Sequence, residues 1–176
     1  MAVTGFAREY CERLSMNVWE ELRKTDPEFA DFFRNFAFDE VVNEDDLDEH
    51  TRMMAILAAL LGCQGKEIYE EMLPAALRAG VTPVEIKEIV YQATAYLGIG
   101  RVYPFFRITN QVLEAEKVAL PLEEQGTTGI EDRVEKGEQA QVDIFGEGMK
   151  GFAASGPEES RHINRWLSGN CFGDYY

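Results

Sequence analysis

Apolar residues recur at helical spacing from one end of this chain to the other, and no stretch alternates with the period of two that a strand requires. This pattern predicts an all-α protein. Residues 5–24 place Phe6, Tyr10, Leu14, Val18 and Leu22 four apart, which predicts one continuous helix with one apolar face. Asp26-Pro27 breaks that run and opens a short, very aromatic helix, FADFFRNFAF. The acidic NEDDLDEH at 43–50 leads into a helix start, where negative charge suits the positive helix terminus. TRMMAILAALLG, residues 51–62, is apolar on nearly all sides and reads as a central buried helix ending at Gly62. Residues 64–79 predict an amphipathic helix with Ile68, Met72, Leu73, Ala76 and Leu77 inward, stopped by Gly80. In GVTPVEIKEIVYQATAYLGIG, Thr82 is the N-cap, Pro83 takes the first turn and Glu85 closes a capping box. Ile86, Ile89, Val90, Ala93 and Leu97 then form the buried face. Another helix is expected over 101–117, with Pro104 tolerable in its first turn.

The pattern changes after residue 119. LPLEEQGTTGIEDRVEKG, residues 120–137, is rich in Gly, Thr and charge and reads as a linker. AQVDIFGEGMKGFAA predicts a helix weakened by glycine, and a last helix is expected to begin near Pro157. The chain closes on INRWLSGNCFGDYY, a core-like rather than a polar tail. This segment aligns without a gap beneath FADFFRNFAFDEVV at 29–42. Phe38 meets Phe172, Glu40 meets Asp174, and Phe29, Phe32 and Phe33 meet Ile163, Trp166 and Leu167. Upstream, the 5–24 helix corresponds to residues 137–152, and Asp26-Pro27 has a displaced counterpart in Gly156-Pro157. The expected organisation is a first module over 1–119, a linker over 120–137, and the opening helices of an incomplete second module over 138–176, a tandem repeat.

Charge narrows the function. Asp plus Glu number 32 against 17 Lys plus Arg, a net charge of -15. A field of that sign repels phosphate backbones and anionic lipid, so neither nucleic acid nor a membrane surface is an expected partner. No apolar run is long enough to span a bilayer, and the N-terminus lacks the basic and apolar regions of a signal peptide. Cys11, Cys63 and Cys171 are odd in number and widely spaced, which argues against a disulfide framework and fits a reducing cytoplasm. No CxxC pair is present, and His50 and His162 are the only histidines, so no metal site or cofactor is expected.

Residues 38–117 resemble the carboxymuconolactone decarboxylase family, which includes the alkylhydroperoxidase D-type proteins. The resemblance rests on LDEHTRMMAILAALLG, then LPAALRAGVTPVEIKEIVYQATAYLGIGRVYPFF, then TNQVLEA, in that order. It implies an all-α helical bundle working as a homo-oligomer, a trimer or hexamer. It also implies one of two chemistries. The redox branch uses a Glu, a CxxC pair and a His; a base activates one thiol, which attacks a peroxide or disulfide. The decarboxylase branch uses a general acid or base, commonly a His, while a carboxylated lactone loses carbon dioxide. Anchored on AGVTP, the Glu position falls on Met53, the cysteines on Gly65 and Ile68, and the His on Met72. A two-residue gap moves the first cysteine to Cys63, the second to Lys66 and the His to Glu70. Either way the dithiol is missing and the first module reads as degenerate.

The catalytic candidates are therefore Cys63, Glu70, Glu71 and His50. Cys63 stands at a helix junction three residues before Lys66, but Glu67, Glu70 and Glu71 oppose a thiolate there. Glu70 and Glu71 form a proton-transfer pair only if the helix turns one inward; otherwise they are a solvated face. His50 lies beside Asp48 and Glu49, which favour its protonated form. Arg52 and Tyr96 are the candidates for binding a small organic acid, Arg52 through a bidentate pair with its carboxylate. Met53, Met54 and Met72, with Tyr103, Phe105 and Phe106, read as core. Three functions follow: a decarboxylase of a small carboxylated lactone or related acid, a non-catalytic oligomeric scaffold or small-molecule-binding pseudoenzyme, or a thiol-dependent antioxidant acting through one cysteine.

Overall fold

The computed structural model describes residues 2–16, 19–44 and 46–175, without the side chain of Trp19. Val18 and Tyr176, which the readings above invoke, lie outside the described residues. Among the described residues every regular element is helical and none is a strand. The chain forms two compact units, residues 1–90 with 100–120, and residues 91–99 with 121–176.

In the first unit, α1 (Gly5–Arg13) is capped by Thr4, whose hydroxyl accepts from the Ala7 N–H. The single helix expected over 5–24 is instead two helices, α1 and α2 (Trp19–Thr25). Ser15 takes φ 53 and Met16 N–H returns to the Cys11 carbonyl, so the chain turns where the sequence carries no Gly or Pro. Leu14 and Met16 are both buried at that turn. Their burial offsets the left-handed cost at Ser15, which explains why apolar spacing alone did not reveal it. α3 (Pro27–Asn35) starts on its proline as expected and widens into π-helical turns over Phe36–Glu40 before α4 (Val41–Glu44).

α5 (Glu49–Gly62) is capped by Asp48, whose carboxylate accepts from the Thr51 N–H. It is not buried all round: Arg52, Met53, Leu57 and Leu61 are inside, whereas Ala55, Ala58 and Ala59 are exposed. α6 (Lys66–Arg78) buries Tyr69, Met72, Leu73, Ala75 and Ala76, so Tyr69 and Ala75 replace the expected Ile68 and Leu77. Gly80 closes the helix at φ 92, while the Val81 N–H reaches back to the Ala76 carbonyl. α7 (Pro83–Leu97) begins in the first unit and ends in the second. α8 (Ile99–Ala115) starts two residues before the expected boundary, which places Pro104 inside the helix rather than in its first turn. Val102 and Phe105, both fully buried, hold the helix through that lost hydrogen bond. Met53, Leu57, Tyr69, Leu73, Ile86, Phe105 and Leu113 are among the largest fully buried side chains of this core. At its centre the Tyr69 and Phe105 rings meet edge to face, 5.0 Å apart, and the Tyr69 hydroxyl lies 2.9 Å from that of Thr109.

In the second unit, α9 (Arg133–Phe145) begins inside the stretch read as a linker and stops before the glycines. Short 3-10 turns follow at Glu147–Met149 and Phe152–Ala154, in place of a continued helix. The last helix, α10 (Arg161–Trp166), starts four residues after Pro157 and widens into π-helical turns over Leu167–Asp174. α9 meets those turns backbone to backbone. A Cβ on Gly137 would stand 1.8 Å from the Ser168 carbonyl oxygen, and one on Gly173 would stand 2.1 Å from that of Arg133. Three interactions fasten the contact: Ser168 Oγ donates to Gln141 Oε1 at 2.5 Å, Thr128 Oγ1 to the Gly173 carbonyl at 2.9 Å, and Arg133 pairs with Asp174 at 2.6 Å.

Candidate functional site

The polar residues of the first unit converge where α1, α5 and α7 present their ends. Asp48 begins α5 and Thr82 begins α7, so both caps expose backbone N–H groups and gather carboxylates. Glu85 Oε2 accepts from the Thr82 N–H at 2.7 Å and from its hydroxyl at 2.8 Å, while the Glu85 N–H donates to the Thr82 hydroxyl at 3.2 Å. The expected capping box is formed. The same carboxylate oxygen lies 3.0 Å from His50 Nε2, across 35 residues of sequence. The Thr82 N–H above all, with the Thr82 hydroxyl and His50 adding to it, holds the Glu85 carboxyl below the usual range against the opposing effect of burial. Glu85 is thus a fixed anion beside the imidazole.

One residue away, Glu49 accepts a bidentate pair from Arg13, at 2.6 and 2.7 Å. Arg13 is the main reason its carboxyl sits below the ordinary value, with Tyr10 and Arg52 adding to the effect. The Tyr10 phenol is pushed up to about 12, first by burial and then by the charge and hydrogen bond of Glu49. Arg13 also lies over the Tyr10 ring, 5.1 Å from its centroid. Two polar groups thus stand side by side at the start of α5, Tyr10–Arg13–Glu49 and His50–Glu85, with the His50 side chain about one-third exposed.

The other sequence candidates are placed differently. Arg52 is buried, and its Nη2 donates to the Val42 and Leu47 carbonyls at 3.3 and 3.1 Å. Tyr96, in the last turn of α7, is 63% exposed. Glu70 and Glu71 are exposed on α6. Cys63 is exposed, and its thiol donates to the Leu60 carbonyl at 3.5 Å. Cys11 is buried with its thiol pushed up by burial, and Cys171 is half-buried with a shift of the same direction and cause. Met53 and Met72 are buried in the core, Met54 and Phe106 are half-buried, and Tyr103 is exposed. Sequence reasoning named His50 and Glu49 beside it, but neither the Glu85 that His50 meets nor the Arg13 that Glu49 meets. Glu85 was legible only as a cap, and nothing local joins Tyr10, Arg13 and Glu49 to it.

Among the described residues, no group of three or more His, Cys, Asp or Glu is arranged to hold a metal ion, and no helix is long and apolar enough to cross a membrane. The helical architecture with the capped α5 and α7 now has an independent comparison. The model of the carboxymuconolactone decarboxylase family matches residues 27–111. Over those residues, a little under half of its length, the chain is similar to that family. The 4-carboxymuconolactone decarboxylase of Acinetobacter baylyi is similar, 31% identical over 80 residues, which cover 46% of this chain and 60% of that protein. The chain thus spans about three-fifths of the curated relative's length. No solved structure matches the chain. Within the carboxymuconolactone decarboxylase segment lie α3 to α7, most of α8, and the His50–Glu85 pair; Tyr10 and Arg13 come from the helix that precedes it.

Proposed function

We propose that this chain acts on a small carboxylated organic acid, a lactone or a relative of one, by proton transfer rather than by thiol redox chemistry. The observation that carries this reading is the His50–Glu85 pair at 3.0 Å, partly open to solvent. Decarboxylation breaks a carbon–carbon bond and sends its electron pair into the remaining conjugated carbon frame. That frame must then take a proton. An imidazolium whose Nε2 faces a fixed carboxylate presents Nδ1 for the transfer and regains its proton from water. Glu85 orients the ring through its contact with Nε2. The Arg13 side chain is 55% exposed, and its bidentate pair with Glu49 is one that a substrate carboxylate can exchange into. The similarity of the matching segment to the carboxymuconolactone decarboxylase family, and to the Acinetobacter protein, supports the substrate class. The absence of a CxxC pair from the sequence supports a non-redox mechanism.

A second reading, a non-catalytic helical scaffold, is favoured by one specific observation. The positions aligned with the family's Glu and His are Met53 and Met72, 1% and 3% exposed, and so part of the core. One experiment separates the two. The purified chain is incubated with a carboxymuconolactone, and carbon dioxide release is followed for the wild type, His50→Asn and Glu85→Gln. The acid–base reading expects turnover in the wild type and a kcat loss of about 10²–10⁴-fold in His50→Asn, with KM little changed. No turnover by the folded wild-type protein, or full activity in His50→Asn, overturns it.

A further inference from the structure

A chain of aromatic rings crosses the first unit from α1 to α3. Phe6 stacks on Tyr10 and Tyr10 on Phe38, with centroids 6.2 and 6.0 Å apart. Phe38 then meets Phe33 edge to face at 6.4 Å, and Phe33 meets Phe29 at 6.2 Å. Tyr10 and Phe38 are buried and form the floor of this chain, whereas Phe6, Phe33 and Phe29 are exposed. Phe32 and Phe36 are exposed as well. On α3 and its π-helical continuation, Phe29, Phe32, Phe33 and Phe36 follow the three- and four-residue spacing of one helical stripe, and Phe29 and Phe36 are each 57% exposed. The opposite side of α3 already buries Ala30, Arg34 and Asn35. A helix packed on one side and aromatic on the other presents a binding face.

Charge says what covers that face. Three or four residues from the four phenylalanines of the stripe, the only charged side chains are Asp26, Glu28, Asp39 and Glu40. Residues 26–49 hold ten carboxylates and one cation, Arg34, which is buried and paired with Glu20. The cations of α2 are engaged elsewhere, Arg23 with Glu20 and Asp31, and Lys24 with Glu21. The rim of the stripe is therefore acidic, in a chain of net charge -15. Two copies of this face oppose acid to acid, and an anionic lipid surface is repelled by it. An extended peptide needs a free sheet edge, and among the described residues there is no strand. A helix needs only the stripe. From Phe29 to Phe36 the stripe is about 10 Å long at the rise of an α-helix, which matches about two turns of a partner with apolar residues at i, i+3 or i+4, and i+7. Lysine and arginine flanking those residues meet the acidic rim and can lie on the ring faces.

We propose that the aromatic face of α3, continued onto α1 by Phe6, docks a basic amphipathic helix of a different protein. The apolar residues of that helix seat on Phe29, Phe32 and Phe36, and its cationic flanks meet Asp26, Glu28 and Glu40. The rings at the centre supply most of the affinity. The carboxylates at the rim set the rate of encounter and the choice of a basic over an acidic partner. Neither His50 nor Glu85 takes part in the contact, which stands whether or not the chain turns over a lactone.

The test uses the full chain and two synthetic amphipathic helices of about 18 residues, long enough to hold helical structure, one built of Leu and Lys and the other of Leu and Glu. Fluorescence anisotropy of the labelled peptides reads binding. The wild type is expected to bind the Leu–Lys helix and to ignore the Leu–Glu helix. Phe29→Ser with Phe32→Ser is expected to weaken Leu–Lys binding by ~30-fold or more, the weight of a central aromatic anchor. Glu28→Lys with Glu40→Lys is expected to reverse the preference between the two peptides. Glu67→Lys with Glu71→Lys makes the same charge change at exposed positions of α6 and is expected to leave the wild-type preference in place. Circular dichroism checks each fold, and the charge variants decide the matter where the serine variant fails to fold. A wild type that ignores the Leu–Lys helix, a serine variant that binds it unchanged, or an α6 variant that reverses the preference overturns the proposal. So does sedimentation in which the serine variant is lighter than the wild type, since a second copy would then be what covers the face.

Discussion

Replacing Gly137 with alanine sets helix propensity against tertiary packing, and the structure says which one wins. Gly137 lies in the first half of α9, and propensity alone makes Gly→Ala stabilising by about 1 kcal/mol in a helix interior. The new Cβ, however, would stand 1.8 Å from the Ser168 carbonyl oxygen and 2.7 Å from the Gly173 nitrogen. Ordinary contacts begin near ~3.5 Å, so the two backbones must separate by more than an ångström. Both obstacles are backbone, so no rotamer change relieves the clash. Overpacking of this kind costs about 1–3 kcal/mol. Separation also strains the buried Ser168–Gln141 bond and the Arg133–Asp174 pair, which fasten the same contact. Losing one buried hydrogen bond adds ~1 kcal/mol. The expected net effect is destabilisation by roughly 1–3 kcal/mol after the propensity gain is subtracted. Urea unfolding followed by circular dichroism, with calorimetry to resolve the two units, measures it. Gly62→Ala is the control: it also lies in a helix, and a Cβ there meets nothing within 4 Å. That variant is expected to be neutral or slightly stabilised. A Gly137→Ala protein as stable as the wild type would refute the close-packing argument.

Other outcomes follow from single contacts. Tyr69→Phe leaves the buried Thr109 hydroxyl without its partner and is expected to cost ~1–2 kcal/mol in urea unfolding, most of it recovered when Thr109→Val is added. Glu49 and Glu85 have depressed folded pKa values, so their contribution is full above the ordinary carboxyl value of 4.5 and is lost as pH falls through the lower folded values. Acid titration of stability should therefore show a loss below about pH 4.5 that Glu85→Gln reduces. Tyr10 and Tyr69 are raised from 10.0 to about 12, so they favour folding fully below pH 10 and lose that contribution as pH rises toward 12. Ultraviolet phenolate titration should find them ionising last, with alkaline unfolding. A thiol reagent should modify Cys63 first, Cys171 more slowly and Cys11 only on unfolding, since they are exposed, half-buried and buried in that order. Slow modification of Cys63 at neutral pH would also count against a single-thiol antioxidant.

Local signals in this sequence were reliable where one turn of helix held all the chemistry. Thr82, Pro83 and Glu85 announce the start of α7, and Gly80 the end of α6, because caps and left-handed stops involve neighbours in sequence. The break after Leu14 was hidden, because Ser15 adopts a left-handed conformation without being a glycine. α5 shows a related gap: its composition announces an apolar helix but not how many neighbours it has, and its alanines at 55, 58 and 59 are exposed. His50 was legible as a titratable residue at a helix start. Its partner was not, since a pair separated by 35 residues depends on where two helices cross.

Sequence by itself determined that this protein is all-α, acidic, without a dithiol motif, and similar over its middle to the carboxymuconolactone decarboxylase family, because periodicity, charge and motif order are properties of the chain alone. Tertiary structure decided the rest. It spent Arg52 on the Val42 and Leu47 carbonyls, set Glu85 against His50, and closed Gly137 on Ser168. Each of these is a contact between segments distant in sequence, and its geometry exists only once the helices have packed.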